Sequence, residues 1–336
     1  MRLYRLPKAT GLDDLTLAEA NRPTPGRGQV LVRMRAASLN YRDLMVASGR
    51  YGAGPLPPDL VPLSDGAGEV AEIGAGVTRV APGDRVAGIF MQSWLGGEQE
   101  PEHGRSALGG AIDGVLAEYV VFDAQGVVPI PPHLSFEQAA TLPCAAVTAW
   151  NALYGLQPLR PGETVLILGT GGVSIFALQF AHAAGARVIA TSSSDEKLAR
   201  ARAMGASDGI NYRGTPEWQD AVRALTDGRG VDHVVEVGGA GTLGRSLGAA
   251  RRGGVVSLIG VLTQGELDPM RLFRSGAIVR PVYVGSRQMF EAMNRLIALH
   301  RLEPVIDRVF AFDEAKQAYH YLQAAGHVGK VVIRID

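Results

Sequence analysis

The sequence predicts an α/β protein: a doubly wound parallel sheet joined to a smaller β-rich domain. Three observations predict it. Residues 1–122 read as short strands between Gly/Pro turns. From Leu134 onward, Val/Ile/Leu runs alternate with helical stretches. A glycine-rich turn joins the first of those runs to its helix. The length agrees, because 336 residues suit two domains of roughly 100–200 residues each.

In the first part, Gln29–Ala36, Gly66–Ile73 and Asp84–Phe90 are strand-like, and Pro25-Gly26 and Pro82-Gly83 punctuate them as turns. The Ala-rich stretch Ser135–Tyr154 is helix-prone, with Pro143 dividing it into two helices. Strand and helix then alternate. Thr164–Leu168 precedes Val173–Ala184, and Arg187–Thr191 precedes Asp195–Met204. Val231–Val237 precedes a further helix-like stretch, followed by Val255–Gly260. Such apolar strands argue for a parallel sheet covered on both faces. Val279–Val284 extends that sheet. Helices at Gln288–His300 and Asp313–Ala325 and the strand Lys330–Ile335 close the chain.

Composition excludes several function classes. The 33 Lys+Arg equal the 33 Asp+Glu, so no charge excess points to nucleic acid or an anionic membrane. The 43 Gly far exceed the usual frequency of about 7% and lack a collagen period. Cys144 is the single cysteine, which excludes an internal disulfide framework and any Cys-rich zinc module. No apolar run reaches the ~18 residues of a membrane span, and no secretory signal is visible at the N-terminus. A cytoplasmic protein is the expectation.

The strongest motif is Thr164–Ala181, a strand, turn and helix containing Gly169-x-Gly171-Gly172-x-Ser174. It follows the Rossmann fingerprint, in which glycines make the tight turn and admit the pyrophosphate to the helix N-terminus. Ser174 stands where the third glycine usually is. Gly169, Thr170, Gly171, Gly172 and Val173 are therefore cofactor-binding candidates. An NAD site wants an acid at the end of the second strand. Here that end reads Thr191-Ser192-Ser193-Ser194. Asp195 and Glu196 fit better in the first turn of a helix capped by Ser194. The hydroxyls of Ser192 and Ser193, with Lys197, suit a 2′-phosphate, so NADP is favoured over NAD.

The whole chain resembles the medium-chain dehydrogenase/reductase superfamily. The resemblance rests on Asn40-Tyr41-Arg42-Asp43, Gly66-Ala67-Gly68-Glu69-Val70, Gly114–Tyr119, Leu142-Pro143-Cys144, the Gly169 fingerprint and Gly326-His327-Val328-Gly329-Lys330. It implies a GroES-like, alcohol dehydrogenase N-terminal-like domain of residues 1–122 completed by 291–336. The Rossmann domain would be 123–290, with the active site in the cleft between them. In zinc alcohol dehydrogenases of this superfamily, a Cys, a His and a further Cys or acid hold the metal. Those positions fall on Asn40, Ser64 (with Asp65 as the acid) and Cys144, and a hydroxyl relay position falls on Arg42. A makeshift site from Cys144, Asp65 and Asp43 is the alternative. The loop Met91–Gly110 lacks the four Cys of the structural zinc lobe.

This pattern resembles the zinc-independent branch, the quinone oxidoreductases and related ene-reductases, which favour NADPH. The resemblance places Asn40, Tyr41 and Tyr51 around the nicotinamide and substrate, and Lys197 and Tyr212 at the 2′-phosphate. Val237, Gly260, Val261 and Leu262 would lie against the cofactor, Val284 and Ser286 beside the nicotinamide, and Lys330 near the phosphates. Asn40 and Tyr51 are the candidate polarising groups, with Arg42 a cationic stabiliser or else a structural ion-pair partner. Tyr51 reads equally as a packing residue, and Asp43 as part of a structural hydrogen-bond network. His103, His133 and His182 read as solvated, linker and helix-packing residues, and Cys144 as a small buried hydrophobe.

Three functions remain open on sequence alone. The first is an NADPH-dependent, zinc-independent reductase of quinones or α,β-unsaturated carbonyls. The second is an alcohol dehydrogenase or ketoreductase, and the third an NADPH-binding sensor or structural protein. A small-molecule substrate, no nucleic-acid or membrane partner, and a homodimer paired through Val279–Val284 complete the expectation.

Overall fold

The computed structural model describes residues 1–52, 54–263 and 265–336. The chain forms two compact units, Met1–Val147 with Gly285–Asp336, and Thr148–Val284. Relative to the sequence division, residues 123–147 and 285–290 fall in the first unit.

The second unit is built on six parallel strands. In chain order they are Thr164–Leu168, Arg187–Ser192, Asp208–Asn211, Val231–Glu236, Ala250–Leu258 and Ile278–Pro281. Their spatial order is 3-2-1-4-5-6, the order of a dinucleotide-binding Rossmann sheet. Every residue of Thr164–Leu168 and Val231–Glu236 is buried, as expected of strands covered on both faces. The core gathers Leu166, Ile189, Val234 and Val256 against Trp218, Val222 and Leu247 of the covering helices. The strand Asp208–Asn211 is too short and polar to be legible in the sequence.

The first unit is β-rich. Gln29–Leu39 is its central strand, flanked by Asp65–Ile73 and Lys330–Arg334 and also paired with Tyr119–Asp123. The C-terminal strand thus returns to this unit and sets Val331 opposite Leu39. Pro143 lies in a π-helical turn, Leu142–Ala146, between the helices Phe136–Ala139 and Val147–Tyr154. The Gly66–Val70 motif has a steric cause. A Cβ on Gly68 would stand 2.1 Å from the Arg33 carbonyl oxygen of the neighbouring strand, a backbone approach that only glycine allows. Among the described residues no helix is long and apolar enough to cross a membrane.

Gly68→Ala is therefore expected to cost about 2–3 kcal/mol through overpacking against backbone. Thermal unfolding should show a midpoint several degrees lower; an unchanged midpoint would mean that the two strands can part at no cost.

Candidate active site

In the second unit, the strand Thr164–Leu168 ends at Gly169, whose φ of +69° is the left-handed conformation that glycine tolerates. The Gly169 N–H donates to Thr191 O at 2.9 Å. Gly171 then caps the helix Gly172–Ala183 without a side-chain partner. A Cβ built on Gly171 meets nothing within 4 Å. The helix N-terminus thus presents free N–H groups beside open space, a cradle that fits a pyrophosphate. Ser174 replaces the third glycine without cost: it is buried, and its hydroxyl donates to Leu168 O at 2.7 Å.

At the end of the second strand, Ser194 accepts from the Lys197 N–H and caps the helix Asp195–Ala203. Asp195 accepts from Asn211 Nδ2 at 2.9 Å. Its carboxylate therefore serves the neighbouring strand end. The Tyr212 N–H donates to Ser192 O at 3.0 Å, so Tyr212 and Ser192 stand side by side at the carboxyl ends of paired strands.

Glu236, which sequence reasoning passed over, is fully buried at the end of Val231–Glu236. Its Oε1 accepts from the N–H groups of Gly238 (2.7 Å) and Gly239 (3.0 Å) and from Thr242 Oγ1 (2.6 Å). Its Oε2 accepts from Ser246 Oγ. Its backbone oxygen accepts from the N–H groups of Ile259 and Gly260. One residue thereby fixes both turns, that after Val237 through its carboxylate and that carrying Gly260 through its backbone oxygen. Val261 and Leu262 leave them with apolar side chains 69% and 48% exposed. The only signal in the sequence was an acid closing an apolar run, followed by Gly238-Gly239.

Val284 has a φ of +57°, a genuine outlier for a β-branched residue. Its carbonyl accepts from Asn151 Nδ2 at 2.7 Å, and Arg280 donates to Asn151 Oδ1 at 2.8 Å. This Arg280–Asn151–Val284 chain holds the strained residue in place, and neither support was foreseen.

In the first unit, Lys330 is almost closed to solvent. Its Nζ donates to Leu39 O at 2.6 Å and to Asn40 Oδ1 at 2.5 Å. The resemblance would set this ammonium near the cofactor phosphates; in the structure it is bonded inside the β-rich unit. Asn40 also begins the helix Tyr41–Ala47, its N–H donating to Asp43 Oδ2 at 2.7 Å. Its Nδ2 is buried, with the Asp65 carboxylate as its polar neighbour. Ser64 donates to Asp65 Oδ1 at 2.7 Å, and the Cys144 N–H donates to Asp65 Oδ2 at 3.0 Å.

Burial raises the pKa of Asp65, and the Lys330 charge, the Ser64 hydroxyl and the nearby Asn40 amide oppose that rise. Cys144 keeps some exposed surface, more than expected of a buried hydrophobe. The protein around it, and then the Asp65 charge, push its thiol up.

Arg42 is buried between the rings of Tyr51 and Phe90, at 4.6 and 4.7 Å. It donates to the carbonyls of Leu108 and Gly109 and faces Asp43 at 3.4 Å. Tyr41 is half exposed on the first helical turn. Ser286 caps the helix Arg287–His300 by accepting from the Met289 N–H.

Residues 26–132 match the alcohol dehydrogenase GroES-like domain family, and residues 172–298 the zinc-binding dehydrogenase family. A zinc-type alcohol dehydrogenase-like protein of Schizosaccharomyces pombe is 45% identical over 97% of each chain. The chain belongs to the medium-chain dehydrogenase/reductase superfamily. Two solved structures are similar to this superfamily member throughout. One is a candidate alcohol dehydrogenase from Sinorhizobium meliloti 1021, 42% identical with a TM-score of 0.92 over 99% of each chain. The other is an NAD-dependent alcohol dehydrogenase, 34% identical with a TM-score of 0.91 over the full length of both. More distant structures carry ligands. A mycobacterial protein complexed with NADPH is 26% identical (TM-score 0.83, full coverage of both). A cobalt- and zinc-bound alcohol dehydrogenase from Pyrobaculum aerophilum is 31% identical (TM-score 0.85, 100% of this chain and 99% of that one). As a member of this superfamily, the protein is an NAD(P)-dependent oxidoreductase that uses a nicotinamide cofactor on a small-molecule substrate.

Burial, and then the Asp65 charge, push Asp43 from its ordinary 3.8 up to about 6, against the pull of Arg42 and the Asn40 N–H. Between those two values the unfolded chain has released its proton and the folded chain has not. Stability should therefore fall as pH rises from about 4 to about 6, by something on the order of 2–3 kcal/mol. Asp43→Asn keeps an acceptor for the Asn40 N–H and should flatten that part of the stability profile. Equal slopes in variant and wild type would show that Asp43 is not its source.

Proposed function

We propose that this superfamily member is an NADPH-dependent, zinc-independent reductase of quinones or other α,β-unsaturated carbonyls. The observation that carries the reading is the Lys330 ammonium on Asn40 Oδ1. A catalytic zinc takes about three protein ligands of imidazole, thiolate or carboxylate type. Of the positions that the resemblance aligns with those ligands, Asn40 offers an oxygen already engaged by a cation. Ser64 donates its hydroxyl to Asp65, which leaves Cys144 as the one of the three with a side chain of zinc-ligand type. Among the described residues no three His, Cys, Asp or Glu side chains stand where they could jointly hold a metal ion. This donor set does not fit zinc.

Reducing an isolated carbonyl localises charge on an alkoxide, which a Lewis acid would stabilise. Reducing a quinone or enone spreads the charge over a phenolate or enolate, for which fixed hydrogen-bond donors suffice. The nicotinamide supplies the hydride when bound. Asn40 is the polarising group in this reading: ammonium can only donate, so Lys330 takes Oδ1 and turns the buried Nδ2 to the opposite side, beside the Asp65 carboxylate. Tyr51 lines the substrate, steadied by the Arg42 guanidinium on its ring. Arg42 itself holds the 108–109 loop through two carbonyls. The final proton comes from water or a hydroxyl.

Ser192, Ser193, Lys197 and Tyr212 support a 2′-phosphate, since the nearest acid, Asp195, is bonded to Asn211. Val237, Gly260, Val261, Leu262 and Val284 line the cofactor in this reading. The strand Ile278–Pro281 ends its sheet, and Phe273, Ile278 and Tyr283 near it are exposed, which supports a homodimer paired along that edge.

The alcohol dehydrogenase reading is favoured by how the relatives at 42% and 34% identity are described. Cinnamaldehyde offers both a conjugated C=C and an aldehyde, so its product separates the two readings. With NADPH we expect 3-phenylpropanal, formed faster than with NADH. Cinnamyl alcohol as the main product would transfer the protein to the alcohol dehydrogenase reading.

A further inference from the structure

We propose that the second unit carries a separate site for a compact polyanion bearing two or more phosphate groups. The chain as a whole has no net charge. Even so, one cavity of about 940 Å³ is lined by seven arginines and a single carboxylate, Glu217. That volume lies within the range of small-molecule clefts, roughly 300–1,000 Å³.

Four of the arginines build the walls. Arg223 donates to the carbonyls of Gly248, Ala250, Gly228 and Arg229, tying helix, strand and loop together. Arg229 and Arg251 pair with the buried Asp232, whose other bond is to the Thr164 N–H. Arg245 pairs with Glu217 and donates to Gly241 O. The remaining three, Arg252, Arg271 and Arg274, are exposed, and among the described residues their guanidinium groups make no hydrogen bond or ion pair; the charge of Arg271 reaches Glu217, which Arg245 already holds. Glu217 and the buried Asp232 are thus bonded to Arg245, Arg229 and Arg251, so the walls are fixed while the guanidinium groups of Arg252, Arg271 and Arg274 are left without a bonded carboxylate.

The small residues of the helix Ala240–Ala249 shape the cavity. A Cβ on Gly244 would meet Arg271 Nη1 at 2.8 Å, and one on Gly248 would meet Gln219 Cγ at 3.2 Å. Glycine at 244 thus lets the Arg271 guanidinium lie against the helix. Several guanidinium groups around one concavity repel one another, and a ligand with clustered phosphates relieves that repulsion through bidentate charge-assisted bonds.

This cavity is distinct from the cofactor cradle. Arg229 precedes the strand Val231–Glu236, and Arg251 and Arg252 open the strand Ala250–Leu258, so the cavity lies at the amino ends of these strands. The Gly169 turn, Ser192 and Gly260 lie at carboxyl ends. The inference does not depend on which carbonyl substrate the enzyme reduces.

The test is calorimetric titration of the full chain with inorganic tripolyphosphate, in saturating NADPH so that the cofactor cradle is filled. The expected result is one equivalent bound per chain, with affinity that falls as salt rises. Arg252→Ala/Arg271→Ala/Arg274→Ala should bind at least tenfold more weakly, with an unfolding midpoint no lower than wild type and unchanged NADPH turnover, because none of the three holds the fold or touches the cofactor. ATP binding as tightly as tripolyphosphate would support the site with a nucleotide as source; tripolyphosphate binding alone would support it with an inorganic one. No binding of either anion, equal binding by the triple variant, or displacement of the anion by NADPH would overturn the proposal.

Discussion

An ammonium that is almost closed to solvent, Lys330 Nζ, is held by two oxygens, Leu39 O and Asn40 Oδ1. A buried cation is stable only when paired and hydrogen-bonded. This one sets the terms for everything around it. It joins the last strand of the chain to the end of the central strand of the β-rich unit. It fixes which end of the Asn40 amide faces inward. Its charge is the largest influence opposing the rise of the Asp65 pKa, and it acts on Asp43 and Cys144 in the same direction. A carboxylate pair buried this closely needs a positive charge, and here a side chain provides it from within the chain.

The nucleotide-binding unit follows the same logic of internal satisfaction. Ser174 hands its hydroxyl to Leu168 O, so the fingerprint survives without its third glycine. Glu236 receives the N–H groups of the Gly238-Gly239 turn together with two hydroxyls, so a buried carboxylate becomes a scaffold. Arg280 orients Asn151, and Asn151 bonds to the carbonyl of the strained Val284. In each case a polar group displaced from an ordinary role is hydrogen-bonded to the backbone of a turn at the carboxyl end of a strand or to the side chain that holds it.

Much of this was legible because it is local. The strand–turn–helix at Thr164–Ala181, the Ser194 cap and the periodic helix near 288–300 each depend on residues close in sequence. The division into a β-rich part and a parallel sheet followed from texture alone. What stayed hidden depends on distant partners. Nothing near Lys330 in the sequence indicates that its ammonium meets Asn40, 290 positions away. Arg42 could be read either as a substrate-facing cation or as a structural residue until its contacts with Tyr51, Phe90 and the 108–109 carbonyls were known. Glu236 and Asn151 gave no motif, since each acts on backbone made rigid only by the fold. The short strands Asp208–Asn211 and Val127–Pro129 carry too few residues for a period of two to register.

In the proposed reading, the Lys330–Asn40 pair occupies a position that the resemblance aligns with a zinc ligand, and hydride transfer proceeds without a metal. The most direct measurement is elemental analysis of the purified enzyme alongside its turnover, before and after treatment with a strong chelator. The account requires full activity with far less than one zinc per chain and no effect of the chelator. Stoichiometric zinc, with activity lost on chelation and restored by adding zinc back, would contradict it.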